Sequence, residues 1–145
     1  MIPGVTSSIA VPAAAGIPLT HRGISHAFTV ISGHAPLTAS EFEHLAGLGG
    51  TVVVLMGVNA LPALAPGLVR AGLDPHTPAA VIERGHRRGQ RTTIASIAGL
   101  PAAAALAGVR SPAVIVIGEV VRLAAGGDHE ADAVLRRAAE AAVAP

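Results

Sequence analysis

Two uninterrupted apolar runs limit what this chain can fold into more than any other feature. One is TVVVLMG, Thr51 to Gly57, and the other opens AVIVIGEVV at Ala113. A strand with one wet face alternates apolar and polar residues, whereas an unbroken β-branched run bounded by glycine is the pattern of a strand covered on both faces. Between these runs the period changes. Leu61, Leu64, Leu68 and Val69 fall at helical spacing behind Asn59, which suits a helix cap, and Gly72 suits the stop.

The remaining elements follow the same alternation. Thr6 or Ser7 is a good N-cap for a helix with its body at Ala10 to Ala15 and its end at Gly16. AFTVISG, Ala27 to Gly33, reads as a strand, and a helix runs through Glu41 to Ala46. AAVIE, Ala79 to Glu83, is a strand, and QRTTIASI from Gln90 is a second one able to return beside it. A helix over Pro101 to Gly108 precedes the Ala113 strand. A final segment, Glu130 to Val143, carries its charges on one helical side and Ala, Val and Leu on the other. The expected fold class is α/β, a mixed and roughly five-stranded sheet with flanking helices and one antiparallel pair, in a single domain over residues 1–145.

Composition narrows the functions available. All ten basic residues are Arg, against nine acids, for a net charge of +1, and the aromatic residues are two Phe. Neither bulk attraction to nucleic acid or membrane nor stacking on bases is supported, so neither is an expected partner. The absence of Cys removes disulfides and thiolate chemistry, and the seven His match no zinc spacing, so no metal is expected. No G-x-S-x-G elbow, dinucleotide fingerprint or phosphate loop occurs. Two charge-free stretches, from Thr51 and from Thr92, approach the length of a membrane span, but Gly57, Asn59, Pro62 and Pro66 break the first and Gly99 and Pro101 the second. With no secretory signal pattern, the expected compartment is the cytoplasm.

Three places could carry chemistry. Arg84, His86, Arg87, Arg88 and Arg91 crowd one turn between two strands; Arg forks suit carboxylates and phosphates, but composition alone favours a solvated hairpin tip. The strand ends LMGVN and IERGH put Gly57 and Gly85 where ligands collect in open α/β sheets, and either glycine is equally readable as a turn residue. His21 and Arg22 stand beside a Pro18 turn.

The segments IPGVTSSIAVPAAAGIPLTHRG, FTVISGH, TVVVLMGVN, PAAVIERG, GQRTTIASI and SPAVIVIGEVV, in that order and spacing, resemble the carboxy-terminal half of the tetrapyrrole methylase family, in its uroporphyrinogen-III C-methyltransferase branch, over about residues 2–123. The resemblance implies S-adenosylmethionine-dependent methylation of a tetrapyrrole towards precorrin-2, for siroheme or cobalamin, with the cofactor between two α/β domains. The family's amino-terminal G-x-G-P-G-D loop and G-G-D segment have no counterpart here. The amino-terminal domain is therefore expected to be absent, the catalytic base to lie in that missing half, and a homodimer mate or an amino-terminal partner domain to complete the site.

By the same resemblance, Thr6, Ser7, Met56, Gly57, Gly85 and Ala113 match cofactor contacts, and Arg22 matches an arginine suited to a substrate carboxylate. His86 stands where the family usually has Thr. Residues 128–143 read as a helical extension beyond the family domain. Two readings remain: a half-enzyme, inactive when isolated, or a non-catalytic dimerisation or ligand-binding module of the same descent.

Overall fold

The two apolar runs lie side by side at the centre of a five-stranded sheet. In a computed structural model that describes residues 1–124, they form β2 (Thr51–Leu55) and β5 (Ala113–Ile117), paired antiparallel with Val53 opposite Val116. On the other side of β5 lies β3 (Pro78–Glu83), buried at all six positions, and β4 (Arg91–Ser96) returns against it. The opposite edge is β1 (Phe28–Ser32), parallel to β2, so the order is β1-β2-β5-β3-β4. The unbroken apolar runs took the central positions, and the edge strands β1 and β4 show partial exposure, as two-sided burial requires.

Each sheet face has its own core. Val52, Val54, Val81, Ile115 and Ile117 pack with α2 (Ala39–Gly47), α3 (Leu61–Arg70) and α4 (Leu100–Leu106). Val53, Ala80, Ile82, Val114 and Val116 face the other way, under α1 (Ser7–Ala14), the Ile17 to Leu19 turn and a short 3-10 helix at Glu119–Leu123.

Three expectations change. Three of the four strand pairings are antiparallel, because β5 enters between β2 and β3 and runs against both. Asn59 does not cap α3: a Gly57–Ala60 turn delivers the chain with Ala60 already helical, and no side chain caps it. The apolar stretch from Ala113 does not continue as strand through Val121, since Gly118 at φ 141 turns it into the 3-10 helix. The amphipathic segment Glu130 to Val143 lies outside the described residues.

Candidate functional site

Because β5 opposes both its neighbours, β2 and β3 point the same way, and their carboxyl ends flank the start of β5. Leu55 and Ile82 are both register partners of Val114. Over this end, on the α1 face, sits a cavity of about 520 Å³. Its walls are Val11 of α1, Leu55, Ile82 and Val114, and its rim carries Ser7, Met56, Arg84, Gly85, Arg87 and the Ser111-Pro112-Ala113 turn.

Backbone strain gathers at this rim. Met56 (φ 55), Arg84 (φ 51) and His86 (φ 60) occupy the left-handed region that side-chain-bearing residues avoid, each immediately or shortly after a strand end. The conformation turns the chain sharply out of the sheet and leaves Met56 62% exposed at the mouth.

The arginines of the loop after β3 are exposed, as a solvated hairpin tip requires, and the loop is also docked on α1. Gly85 abuts Val11 so closely that a Cβ on it would lie 2.7 Å from both valine methyls. His86 Nε2 bonds the Ala10 carbonyl at 2.7 Å, and Gln90 Nε2 donates at 3.0 Å to the Ala14 carbonyl, one of the acceptors a helix end leaves free. The loop thus fixes the position of α1 over the cavity. Thr6 caps α1, accepting from the Ser8 amide at 3.3 Å and sharing a 2.9 Å hydrogen bond with the Ser8 hydroxyl.

Of the residues singled out from sequence, Ser7, Met56, Gly85 and Ala113 come together at the cavity from four separate segments. Thr6 stands beside them as the helix cap. Gly57 is buried on the other sheet face, where a Cβ would meet Val54 Cγ1 at 2.7 Å and Ile115 Cδ1 at 2.9 Å; its place is close packing, not the cavity. Arg22 is not brought there either. Its loop, with His21 and His26, is fastened at the amino ends of β1 and β2 by the Ser25 hydroxyl donating to the Ala27 carbonyl and the Thr51 hydroxyl donating to Ser25. A strand length, about 15 Å, separates those ends from the cavity.

Sequence reasoning missed Val11, Ser111 and Glu83, and named Arg84 only as part of the charged turn. Glu83, last residue of β3, is 3% exposed; its Oε1 accepts from Arg91 Nη2 at 2.9 Å and from the Arg110 amide at 3.0 Å, and Oε2 lies 2.8 Å from Arg91 Nη2. Burial pushes this carboxyl up, but the Arg91 hydrogen bond, the Arg110 amide and the charges of Arg91 and Arg84 together hold it below the usual glutamate range. An acid closing an apolar strand just before an arginine-rich turn was the available signal. Among the described residues no group of His, Asp or Glu is placed to hold a metal, and no helix is long and apolar enough to cross a membrane.

An open, mixed α/β sheet with an apolar cavity at the carboxyl ends of two co-directional central strands defines a ligand-binding domain of the α/β class. The profile of the tetrapyrrole (corrin/porphyrin) methylases matches residues 1–101, and the chain belongs to that family. The S-adenosyl-L-methionine-dependent uroporphyrinogen III methyltransferase of Methanosarcina barkeri is 47% identical over 127 residues, which is 85% of this chain and 50% of that protein. A siroheme synthase of Gluconacetobacter diazotrophicus is 43% identical over 84% of this chain and 27% of its own. The crystal structure of uroporphyrin-III C-methyltransferase from Thermus thermophilus, complexed with S-adenosylhomocysteine, superposes with a TM-score of 0.68 at 36% identity, covering 84% of this chain and 51% of that one. The chain thus spans about half the length of these methyltransferases, or less for the synthase.

Proposed function

We propose that this chain forms one wall of an S-adenosylmethionine site in a cytoplasmic enzyme that C-methylates uroporphyrinogen III for siroheme or cobalamin biosynthesis. In this reading a second α/β domain, or a further copy of the chain, closes the site. The observation that carries it is the convergence of Ser7, Met56, Gly85 and Ala113 on one apolar cavity.

The residues present fit that cofactor. A cavity of about 520 Å³ is within the range of small-molecule sites, and Gly85 lacks the side chain that would push α1 away and break the wall. Apolar Val11, Leu55, Ile82 and Val114 suit an adenine face and a methylene chain, and Ser7 and Ser111 supply polar edges. When bound, the sulfonium supplies an electrophilic methyl group. The chain's own contribution is alignment and exclusion of water: Met56 overhangs the mouth, Ala113 keeps the β5 start narrow, and the docked loop keeps α1 from moving. Arg87, at the rim, is placed to take a carboxylate of a polyacidic substrate.

Among the described residues no carboxylate or imidazole lines the cavity, and removal of the pyrrole proton is assigned to the opposite wall. Exposed Met1, Ile2, Val5, Ile9 and Met56 give that wall an apolar surface to meet. The chain has two methionines, which makes the test direct. With methyl-labelled methionine, S-adenosylhomocysteine is expected to shift the Met56 signal and leave Met1 little changed. Affinity should be weak, near millimolar, because one wall supplies only part of the burial. An unmoved Met56 signal would remove the cofactor assignment, and turnover of uroporphyrinogen III by the isolated chain would remove the one-wall assignment.

A further inference from the structure

The carboxyl end of β3 gathers an excess of positive charge that extends beyond the apolar cavity, with Arg84 on the boundary between the two. Arg84, Arg91 and Arg110, with Gly89 and Gly108 between them, line a second concavity of about 470 Å³. It lies towards the opposite face of the sheet. Ile82 points into the large cavity, whereas Glu83, next along β3, points to the α4 side, where Arg91 also bonds the Ala107 carbonyl at 3.1 Å.

Within this concavity the acid is already committed. Glu83 is held by Arg91 and by the Arg110 amide, and among the described residues neither the Arg84 nor the Arg110 guanidinium has a carboxylate within ion-pair distance. The other acids of the described chain, Glu41, Glu43, Asp74 and Glu119, do not line it. Arg91 is held by its guanidinium, and Arg84 and Arg110 are placed by their backbones. Glu83 ties down the first residue of β4 and the residue 110 backbone, and the Arg84 amide donates at 3.0 Å to the Pro112 carbonyl while its φ of 51 fixes its exit from the strand. Gly89 and Gly108 add no side chains to the floor. Guanidinium forks around a glycine floor, with surplus positive charge, match oxyanions in geometry and sign.

We propose that the Arg84–Arg91–Arg110 concavity binds a small molecule bearing two or more oxyanion groups, carboxylate or phosphate, at a site that adjoins the apolar cavity at Arg84 and is otherwise lined by different residues. Binding can be read by calorimetry on the 145-residue chain at fixed ionic strength, with pyrophosphate and citrate as probes. At least one is expected to bind with a dissociation constant below about 1 mM, and the tighter of the two identifies the group recognised. Arg110→Gln is expected to weaken that binding about tenfold or more, because a charge-assisted contact is lost. The variant keeps the structural bond to Glu83, which comes from the backbone amide. Arg110→Lys should fall between the two, retaining charge without the fork.

Arg122→Gln, which removes a cation paired with Glu119 elsewhere on the chain, serves as the charge control and should leave affinity unchanged. Failure of both probes to bind at several millimolar would overturn the proposal. So would equal weakening by Arg110→Gln and Arg122→Gln, which would show diffuse attraction rather than a site.

Discussion

Gly85→Ala places a methyl carbon 2.7 Å from Val11 Cγ1 and Cγ2 and 3.0 Å from Val11 Cβ, at the seam between the β3–β4 loop and α1. Carbon atoms settle at about 3.5–4.0 Å, so the seam has to open by roughly 1 Å. It cannot open freely. The same loop is bonded to α1 by His86 at Ala10 and by Gln90 at Ala14, at 2.7 and 3.0 Å. Either the overlap is retained as strain, about 1–3 kcal/mol, or two hydrogen bonds are lost at about 1 kcal/mol each. Both routes give about 2 kcal/mol, or roughly 7 °C in Tm for a domain of this size.

Urea unfolding followed by circular dichroism measures the loss, and Val11→Ala makes the measurement specific. Alone, Val11→Ala should cost about 1 kcal/mol, as a half-buried valine loses its two methyl groups. Combined with Gly85→Ala it removes the two methyl groups at 2.7 Å and leaves only the milder 3.0 Å approach to Cβ, so the double variant should be more stable than the sum of the singles by about 1 kcal/mol. Additive effects, within about 0.4 kcal/mol, would refute the collision as the reason for glycine at this position.

Two further outcomes follow from other parts of the molecule. Glu83 titrates below its ordinary value when folded, so the unfolded chain binds the proton more readily; its contribution is full above the ordinary glutamate pKa of about 4.3 and is lost as pH falls through the lower folded value. Acid unfolding curves should therefore flatten in Glu83→Gln, with Glu41, also lowered by its bonds to Thr38, supplying part of the slope that remains, and Arg91→Ala should cost about 2 kcal/mol at neutral pH. An unchanged acid slope in Glu83→Gln would contradict the ion-pair account. The exposed Met1, Ile2, Val5, Ile9 and Met56 surface should drive self-association visible by light scattering at about 100 μM, reduced by Ile9→Glu; a monomer at that concentration would show that this surface is not adhesive.

Much of the candidate site was readable because its residues sit at strand ends, and strand ends are marked locally. Met56 and Gly85 each follow an apolar run, and Ser7 opens a helix that its Thr6 cap announces. Gly57 shows what such reading leaves open: a glycine beside a strand end is equally apt for a ligand or for tight packing, and only the tertiary structure sets it against Val54 and Ile115. Arg22 lies apart from the cavity for another reason. Its local sequence is distinctive, but the path from α1 through its turn leads to the amino ends of β1 and β2, and no local pattern encodes which end of the sheet a turn will reach.

The sequence by itself determined that this chain is a layered α/β domain, which runs lie in the middle of its sheet, and which family it resembles. Burial on both faces demands an unbroken apolar run, and that demand is written residue by residue in β2 and β5. Only the tertiary structure decided that β5 lies between β2 and β3 and opposes both, that Glu83 gathers Arg91 and the Arg110 backbone, and that α1 is fastened to the loop after β3. A run of valine and isoleucine is satisfied by any apolar neighbour running in either direction. The choice among neighbours is made by the chain as a whole, through connections and packing that no single segment contains.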